Sequence, residues 1–146
     1  MSFSVLLLDS VDPVCKQVFE QRGIKAIQPD TLTFEELYAC IGDYDGLVVR
    51  SATKVTAELL QHAQKLKVIG RAGVGVDNID IPASTAKGVL VMNTPDGNTI
   101  STAEHTCGLI IAMSRNIPAA VQTVKGGGWN RKAYMGTEVH GKILGI

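Results

Sequence analysis

Short unbroken apolar runs alternate with amphipathic stretches along the first part of the chain. Such a run is typical of a strand that is buried on both faces of a parallel sheet. We predict five strands of this kind, at residues 5–8, 24–27, 46–50, 68–70 and 89–92. Because parallel strands need crossover segments between them, the alternation predicts a doubly wound α/β fold.

The helices between these strands are marked by their N-terminal caps. Asp12 precedes Pro13, and this pair supplies a side-chain acceptor and a residue that suits the first helical position. Thr33 and Glu36 have the spacing of a capping box, which begins the second helix. The predicted helices cover residues 13–21, 33–40, 56–65 and 81–87.

The pattern changes in the last third of the sequence. A cluster of turn-forming residues at 93–98 precedes an apolar, nearly uncharged stretch at 99–116, which predicts a helix buried between other elements. Pro118 kinks this helix or starts another. Residues 143–146 have the composition of a further buried strand, so we expect the N-terminal part of a longer protein. We place the domain boundary between residues 96 and 97.

Composition and charge exclude several classes of protein. The 146 residues carry 14 basic and 14 acidic side chains, so charge gives no reason to expect nucleic-acid binding. No apolar run approaches the roughly 20 residues that cross a bilayer, and the N-terminus lacks the basic start of a secretory signal. Three widely separated cysteines, Cys15, Cys40 and Cys107, form no disulfide framework. We therefore expect them to be reduced packing residues of a cytoplasmic protein.

Two arginines stand at the ends of predicted strands. Arg50 ends the third strand, and Arg71 lies in a glycine-rich stretch at 69–78 that ends the fourth. Ligands of open α/β sheets bind at the carboxyl ends of the strands, where glycines let the backbone approach them closely. Guanidinium groups recognise carboxylate and phosphate oxygens. We therefore predict an anion site, although either arginine alone is equally compatible with a solvated side chain.

Two glycine motifs are rejected as nucleotide sites. Gly73 and Gly75 begin a dinucleotide fingerprint, but residue 78 is Asn rather than Gly, and no helix is predicted immediately after it. Residues 136–143 match a P-loop in part, but Ile143 stands where that loop needs Ser or Thr. The main cofactor loop is therefore not assigned to either segment.

The acidic residues and the histidines give no catalytic constellation. Asp9 and Asp12 after the first strand are typical of a signalling receiver, but Arg50 stands where that module needs a phosphate-accepting aspartate. The histidines have no zinc-ligand spacing, and His105 is interpreted as a helix-packing or interface residue. We predict no metal site.

Several segments, taken together, resemble the D-isomer-specific 2-hydroxyacid dehydrogenase family. They follow one another along nearly the whole chain, at residues 46–55, 68–78, 87–95, 103–106 and 129–145. The family has a flavodoxin-like substrate lobe and a Rossmann nucleotide-binding lobe. The resemblance implies that residues 1–96 are an incomplete substrate lobe. It also implies that residues 97–146 contain the first helix and strand of the NAD-binding lobe.

The resemblance also implies site residues. The substrate-binding residues expected from it are Arg50, Ser51, Arg71, Ala72, Gly73, Asn78 and Arg131. Arg131 would reach a neighbouring subunit's site, although a solvated loop residue is an equal alternative. Val74, where close relatives have Thr, and Asn98 are expected to contact the cofactor, NAD, whose main binding loop would lie beyond Ile146. The family's catalytic residues lie further downstream, so none is expected in this fragment.

The implied activity is oxidation of a small-molecule substrate, 3-phospho-D-glycerate, by NAD to 3-phosphohydroxypyruvate in L-serine biosynthesis. The intact enzyme would be a homo-oligomer, and the fragment would bind the substrate weakly and be inactive alone. Three alternatives stay open: a glyoxylate or hydroxypyruvate reductase of the same family, a non-enzymatic corepressor-like relative, and a complete flavodoxin-like module. The apolar C-terminal segment disfavours the last of these.

Overall fold

A five-stranded parallel sheet forms the first part of the molecule. The structure is a computed structural model, and it describes residues 3–145. The strands are β1 (Ser4–Leu7), β2 (Lys25–Ile27), β3 (Gly46–Val49), β4 (Val68–Arg71) and β5 (Leu90–Asn93). Their order in the sheet is β2-β1-β3-β4-β5, and every neighbouring pair is parallel. The predicted doubly wound α/β fold is confirmed, and this strand order is the flavodoxin-like one.

Side-chain caps determine where the helices begin. The helices are α1 (Pro13–Gln21), α2 (Phe34–Cys40), α3 (Ala57–His62), α4 (Ile81–Ala86), α5 (Thr99–Ser114) and α6 (Ile117–Lys125). The carboxylate of Asp12 accepts from the backbone N–H of Val14 at 2.9 Å, as its position before Pro13 predicts. Both bonds of the predicted capping box between Thr33 and Glu36 form. The caps read from the sequence at these two helices are confirmed.

The alternation of side chains along each strand builds two hydrophobic clusters. Leu6, Leu47 and Ile69 belong to the larger cluster, in which α2, α3 and α4 also take part. Val5 and Leu7 belong to the smaller cluster, in which α1 takes part. Strands β1 and β3 carry apolar residues at successive positions and bury both of their sides, as the unbroken apolar runs predict. The prediction is wrong for β5, where Leu90 and Met92 are exposed, because β5 is an edge strand of the sheet.

The chain divides into two compact units, Met1–Asn98 and Thr99–Ile146. The first unit contains the whole sheet with α1 to α4, and the second contains α5, α6 and a short 3₁₀ turn at Lys132–Tyr134. The sequence predicts a boundary between residues 96 and 97. Within the described residues, no helix has the length and apolar character needed to cross a membrane.

Two predicted helices end earlier than expected. Helix α3 stops at His62 rather than at residue 65, because Ala63 leaves the helical region and a turn brings Leu66 into the core. Helix α5 ends at Ser114, and a left-handed residue, Asn116, separates it from α6. Pro118 explains the new start, since it has no N–H and its ring would collide with the preceding turn of a continuous helix.

Three expectations for the C-terminal part are corrected. Residues 143–145 form no strand, because no described segment pairs with them, and residue 146 lies outside the described residues. None of the residues of α5, all of which are described, is buried, so the predicted burial of this helix is wrong for the chain by itself. Cys107 on α5 is exposed rather than packed, whereas Cys15 and Cys40 are half-buried; all three are free thiols.

Candidate functional site

A polar cleft lies at the carboxyl ends of three neighbouring strands, β3, β4 and β5. Its volume is about 340 Å³, and it lies entirely within the first unit. The residues that line it are Arg50, Ser51, Arg71, Ala72, Gly73, Thr94, Gly97 and Asn98. Because β3 and β4 are adjacent and parallel, Arg50, which follows β3, and Arg71, which ends β4, lie at the same edge of the sheet. The structure thus brings together most of the residues predicted to bind substrate.

Arg71 and Gly73 are closely packed. Gly73 donates its backbone N–H to the carbonyl oxygen of Arg71 at 2.9 Å, which makes a tight turn. A Cβ atom on residue 73 would overlap the guanidinium group of Arg71, so only glycine leaves the side chain where it lies. The glycine therefore allows the guanidinium to fold back over its own loop.

The positive charge in the cleft is uncompensated. Within residues 3–145, neither Arg50 nor Arg71 forms an ion pair. The Nε atom of Arg71 is buried and has no hydrogen-bond partner among these residues. Buried donors are nearly always satisfied, so an orphaned guanidinium N–H in a cleft points to an acceptor supplied by a ligand. Carboxylate and phosphate oxygens are the acceptors that a guanidinium fork fits best.

The cleft has no group suited to acid–base catalysis. Its lining contains no His, Asp, Glu, Cys or Lys side chain. His62 lies elsewhere in the unit, where its ring contacts the ring of Tyr38 edge to face at 5.1 Å between centroids. The described residues also contain no group of His, Cys, Asp and Glu that could hold a metal ion. The arrangement can therefore hold and orient an anion, and it cannot accept a proton.

Asn78 and Val74 lie next to the cleft rather than in its lining. The Nδ2 atom of Asn78 donates to the carbonyl oxygens of Arg50 at 2.8 Å and Thr53 at 2.7 Å. The carbonyl oxygen of Val74 accepts from the Nδ2 atom of Asn93 at 2.7 Å, and the Val74 side chain is exposed. Asn78 and Val74 thus form hydrogen bonds that connect loops next to the cleft. Their contacts with substrate and cofactor stay predictions.

Arg131 belongs to the second unit and does not line the cleft. It lies two residues after the exposed Trp129 and starts the short 3₁₀ turn. Its predicted role at a neighbouring subunit's site stays a prediction. Conversely, Thr94 and Gly97 line the cleft, although the turn-forming composition of residues 93–98 does not predict them as site residues. Their position directly after β5 is the signal that would have found them.

The glycine loop does not fit the pyrophosphate of a dinucleotide. Helix α4 begins at Ile81, well after Gly75, instead of directly at the loop. Its N-terminus is already capped by Asp80, whose carboxylate accepts from the backbone N–H of Ala83 at 2.9 Å. A carboxylate at a helix N-terminus takes up the donors and the positive potential that would otherwise bind a phosphate. The rejection of this loop as the main dinucleotide site agrees with the structure.

The chain is an α/β protein with a flavodoxin-like strand order and an arginine-lined cleft at the carboxyl edge of its sheet, which is where ligands of such folds commonly bind. A sequence model described as "D-isomer specific 2-hydroxyacid dehydrogenase, catalytic domain" matches residues 5–139, and the chain belongs to this family. Members of the family are NAD-dependent dehydrogenases. The resemblance found in the sequence is thus confirmed.

Individual relatives agree with this assignment. The chain is 53% identical over 142 residues to D-3-phosphoglycerate dehydrogenase of Homo sapiens, an alignment that covers 97% of this chain and 27% of the relative. It is 49% identical to D-3-phosphoglycerate dehydrogenase of Methanocaldococcus jannaschii, with the same coverage. A crystal structure of NAD⁺-bound 3-phosphoglycerate dehydrogenase from Entamoeba histolytica superposes with a TM-score of 0.69 at 30% identity and covers 79% of this chain and 40% of that one. The chain thus spans about a quarter of the length of the curated relatives.

Proposed function

We propose that this chain is the substrate-binding part of an NAD-dependent dehydrogenase that oxidises 3-phospho-D-glycerate to 3-phosphohydroxypyruvate, a step of L-serine biosynthesis. The observation that carries the proposal is the cleft where Arg50 and Arg71 meet, with the Nε atom of Arg71 left without a partner within residues 3–145. The names of the curated relatives at about half identity support the choice of substrate.

The chemistry of the cleft suits a metabolite with two anionic groups. 3-Phosphoglycerate carries a carboxylate and a phosphate, and two guanidinium groups offer forked donors to both. The remaining lining residues are neutral, so no carboxylate lines the cleft. The hydroxyl groups of Ser51 and Thr94 and the amide of Asn98 stand at the same cleft as further polar groups.

The chain orients the substrate and leaves the chemical step to other parts of the intact enzyme. A bound NAD would supply the acceptor for a hydride from the carbon that bears the hydroxyl group, and a base would be needed for the hydroxyl proton. The cleft offers no base and the glycine loop fits no pyrophosphate. These residues therefore carry out neither the hydride transfer nor the proton transfer. Holding the reacting carbon in place still contributes to the rate by orientation. The fragment alone is therefore expected to be inactive.

The remaining parts of the proposal follow the family resemblance. Residues 1–96 would form the substrate lobe and 97–146 the start of the NAD-binding lobe. Asn78 would contact the substrate from the rim of the cleft, and Val74 and Asn98 would contact NAD, whose main loop would lie beyond residue 146. Arg131 would act at the site of a neighbouring subunit in a cytoplasmic homo-oligomer.

The double variant Arg50→Gln/Arg71→Gln tests the anion site. We expect 3-phosphoglycerate to bind the chain with a millimolar-range dissociation constant, measured by NMR titration. Because charge-assisted hydrogen bonds contribute roughly 1.5–3 kcal/mol each, the double variant should weaken binding by about 100-fold or more. The matched control Arg22→Gln/Arg115→Gln removes the same charge from exposed positions outside the cleft.

The outcome separates specific binding from attraction by net charge. Equal loss of affinity in the control pair, or unchanged affinity in the Arg50/Arg71 pair, would contradict the proposal. A parallel titration with D-glycerate, which lacks the phosphate, tests the alternative of a reductase for unphosphorylated substrates. Equal affinities for the two ligands would favour that alternative.

A further inference from the structure

Side chains from two other loops fix the backbone of the loop that follows β3. The Oδ2 atom of Asp9 accepts from the backbone N–H groups of Arg50 at 2.7 Å and Thr53 at 3.0 Å. The Nδ2 atom of Asn78 donates to the carbonyl oxygens of the same two residues. Arg50 and Thr53, the two ends of this segment, are thus each held through the backbone N–H and the backbone carbonyl oxygen. We call this arrangement of Asp9 and Asn78 the loop clamp.

Asp9 commits its whole carboxylate to this loop. Its second oxygen, Oδ1, accepts from the hydroxyl group of Thr53 at 2.6 Å. Asp9 and the following Ser10 also have φ angles of +59° and +50°, which lie in the left-handed region that side chains other than glycine rarely adopt. Two consecutive residues in this conformation persist only where the surrounding structure determines it, and such strain is concentrated at functional sites.

The clamp acts on the cleft without lining it. Neither Asp9 nor Asn78 is among the lining residues, whereas Arg50 and Ser51, which the clamp holds, are. Asp9 follows β1, and β1 and β3 are the two strands between which the strand order of this sheet reverses. Ligands of such sheets commonly bind at that switch point. In this chain the carboxylate of Asp9 accepts hydrogen bonds from the loop N–H groups at the switch point. The arginine-lined cleft lies one strand further along the sheet.

We propose that Asp9 and Asn78 are positioning residues, which hold Arg50 and Ser51 at the edge of the cleft before a ligand binds. This inference rests on the proposed function, because it needs a cleft that binds 3-phosphoglycerate. Without the clamp, the loop samples several conformations, and the apparent dissociation constant rises in inverse proportion to the fraction that can bind. The clamp therefore lowers the ordering cost of binding.

The variant Asp9→Gly removes the carboxylate and relieves the left-handed backbone at the same time, so the chain keeps its turn after β1. We expect the affinity for 3-phosphoglycerate to fall about tenfold, as for a loop that is competent about a tenth of the time. Hydrogen exchange of the Arg50 and Thr53 amides should accelerate in the unliganded chain. The matched control Asp12→Gly changes the same residue type in the same loop, where glycine is a tolerated helix cap.

Two further measurements separate positioning from a general loss of structure. Added acetate should slow the exchange of the Arg50 and Thr53 amides in Asp9→Gly, because it replaces the missing carboxylate, and should not affect Asp12→Gly. Thr53→Val removes only the hydroxyl bond to Asp9 and should give a smaller loss of affinity than Asp9→Gly. Asn78→Ala removes both bonds to the carbonyl oxygens and should accelerate the exchange of the Arg50 and Thr53 amides in the unliganded chain, a readout that loss of a direct substrate contact would not change.

Affinity in Asp9→Gly within twofold of the parent chain, or amide exchange at Arg50 and Thr53 unchanged, would overturn the inference. So would an equal loss in Asp12→Gly, since that would be a general effect of the loop. If the parent chain itself fails to bind 3-phosphoglycerate, the proposed function fails instead. The amide exchange of the unliganded variants still decides whether Asp9 holds the loop.

Discussion

A single missing Cβ atom determines where the Arg71 guanidinium lies. Any side chain at residue 73 would occupy the space that the guanidinium fills, and Gly73 itself has no left-handed φ that would forbid alanine. The glycine is thus required by a side chain rather than by the backbone. A substitution at residue 73 therefore tests the placement of the Arg71 guanidinium, and we expect it to leave the fold intact.

We predict that Gly73→Ala weakens binding of 3-phosphoglycerate about tenfold, because the loss of one well-placed charge-assisted bond is worth roughly 1.5 kcal/mol or more. The displaced arginine is flexible, so the free energy of unfolding should change by less than about 1 kcal/mol. NMR titration and urea unfolding measure the two effects. Gly75→Ala is the control, since a Cβ there meets only the side chain of Asp77, outside the cleft. A large loss of stability in Gly73→Ala would show that the backbone, not Arg71, requires the glycine.

A second residue-scale effect concerns pH. The backbone N–H and hydroxyl of Thr33 form the capping box with Glu36, and the hydrogen bond from the Thr33 backbone lowers the pKa of the Glu36 carboxyl group. A carboxyl whose pKa is lower in the folded chain than in the unfolded chain stabilises the fold above its unfolded pKa. That stabilisation is lost as the pH falls through the folded value.

We therefore predict that Glu36→Gln makes the free energy of unfolding depend less on pH in the acidic range. The free energy of unfolding of the parent chain should fall more steeply than that of the variant as the pH decreases below about 4.3, the ordinary pKa of a glutamate. Urea unfolding at a series of pH values measures this difference. Glu35→Gln removes the same charge from the same turn without touching the capping box. A steeper acid loss in Glu36→Gln than in the parent chain would contradict the prediction.

At the scale of elements, the sequence predicts what local chemistry determines. The caps at Asp12 and Thr33 act over two or three residues, so the starts of α1 and α2 were predictable. The meeting of Arg50 and Arg71 was predictable as well, because each follows an apolar run and parallel strands end at a common edge. For the same reason, the polar residues after β5 could have been included in the site.

The remaining features depend on partners that are distant in sequence. Asp9 accepts hydrogen bonds from Arg50 and Thr53, which are 41 and 44 positions further along the chain. No local sequence pattern predicts such a pairing. The end of α3 depends on Leu66 reaching the core, which is a tertiary effect. Residues 143–145 have a strand composition but form none, since a strand needs a neighbour to pair with. Composition thus predicts that a segment can be buried. Whether a neighbouring strand is present to pair with it depends on the rest of the fold.

At the scale of the whole molecule, the second unit differs from the first in its exposure. The first unit buries two hydrophobic clusters, which together include side chains of β1 to β4 and of helices α1 to α3. Helix α5 in the second unit leaves its apolar residues at the surface, and these include Ile100, Leu109 and Met113, of which Ile100 is 72% and Met113 78% exposed. Several exposed large apolar side chains on one helix are a common mark of an interface between proteins. This exposure agrees with the proposed homo-oligomer, whose smallest form is a symmetric dimer.

We predict that the chain dimerises through α5 and that Leu109→Glu/Met113→Glu gives a monomer. The two residues are four positions apart, so they lie on the same face of the helix, and burying a carboxylate in an apolar interface is strongly unfavourable. Sedimentation velocity over a range of concentrations measures the mass of each form. Val14→Glu/Val18→Glu places the same charges at the same spacing on exposed positions of α1 and should leave the dimer intact. A parent chain that sediments as a monomer throughout, or a dimer that survives the α5 substitutions, would exclude this interface.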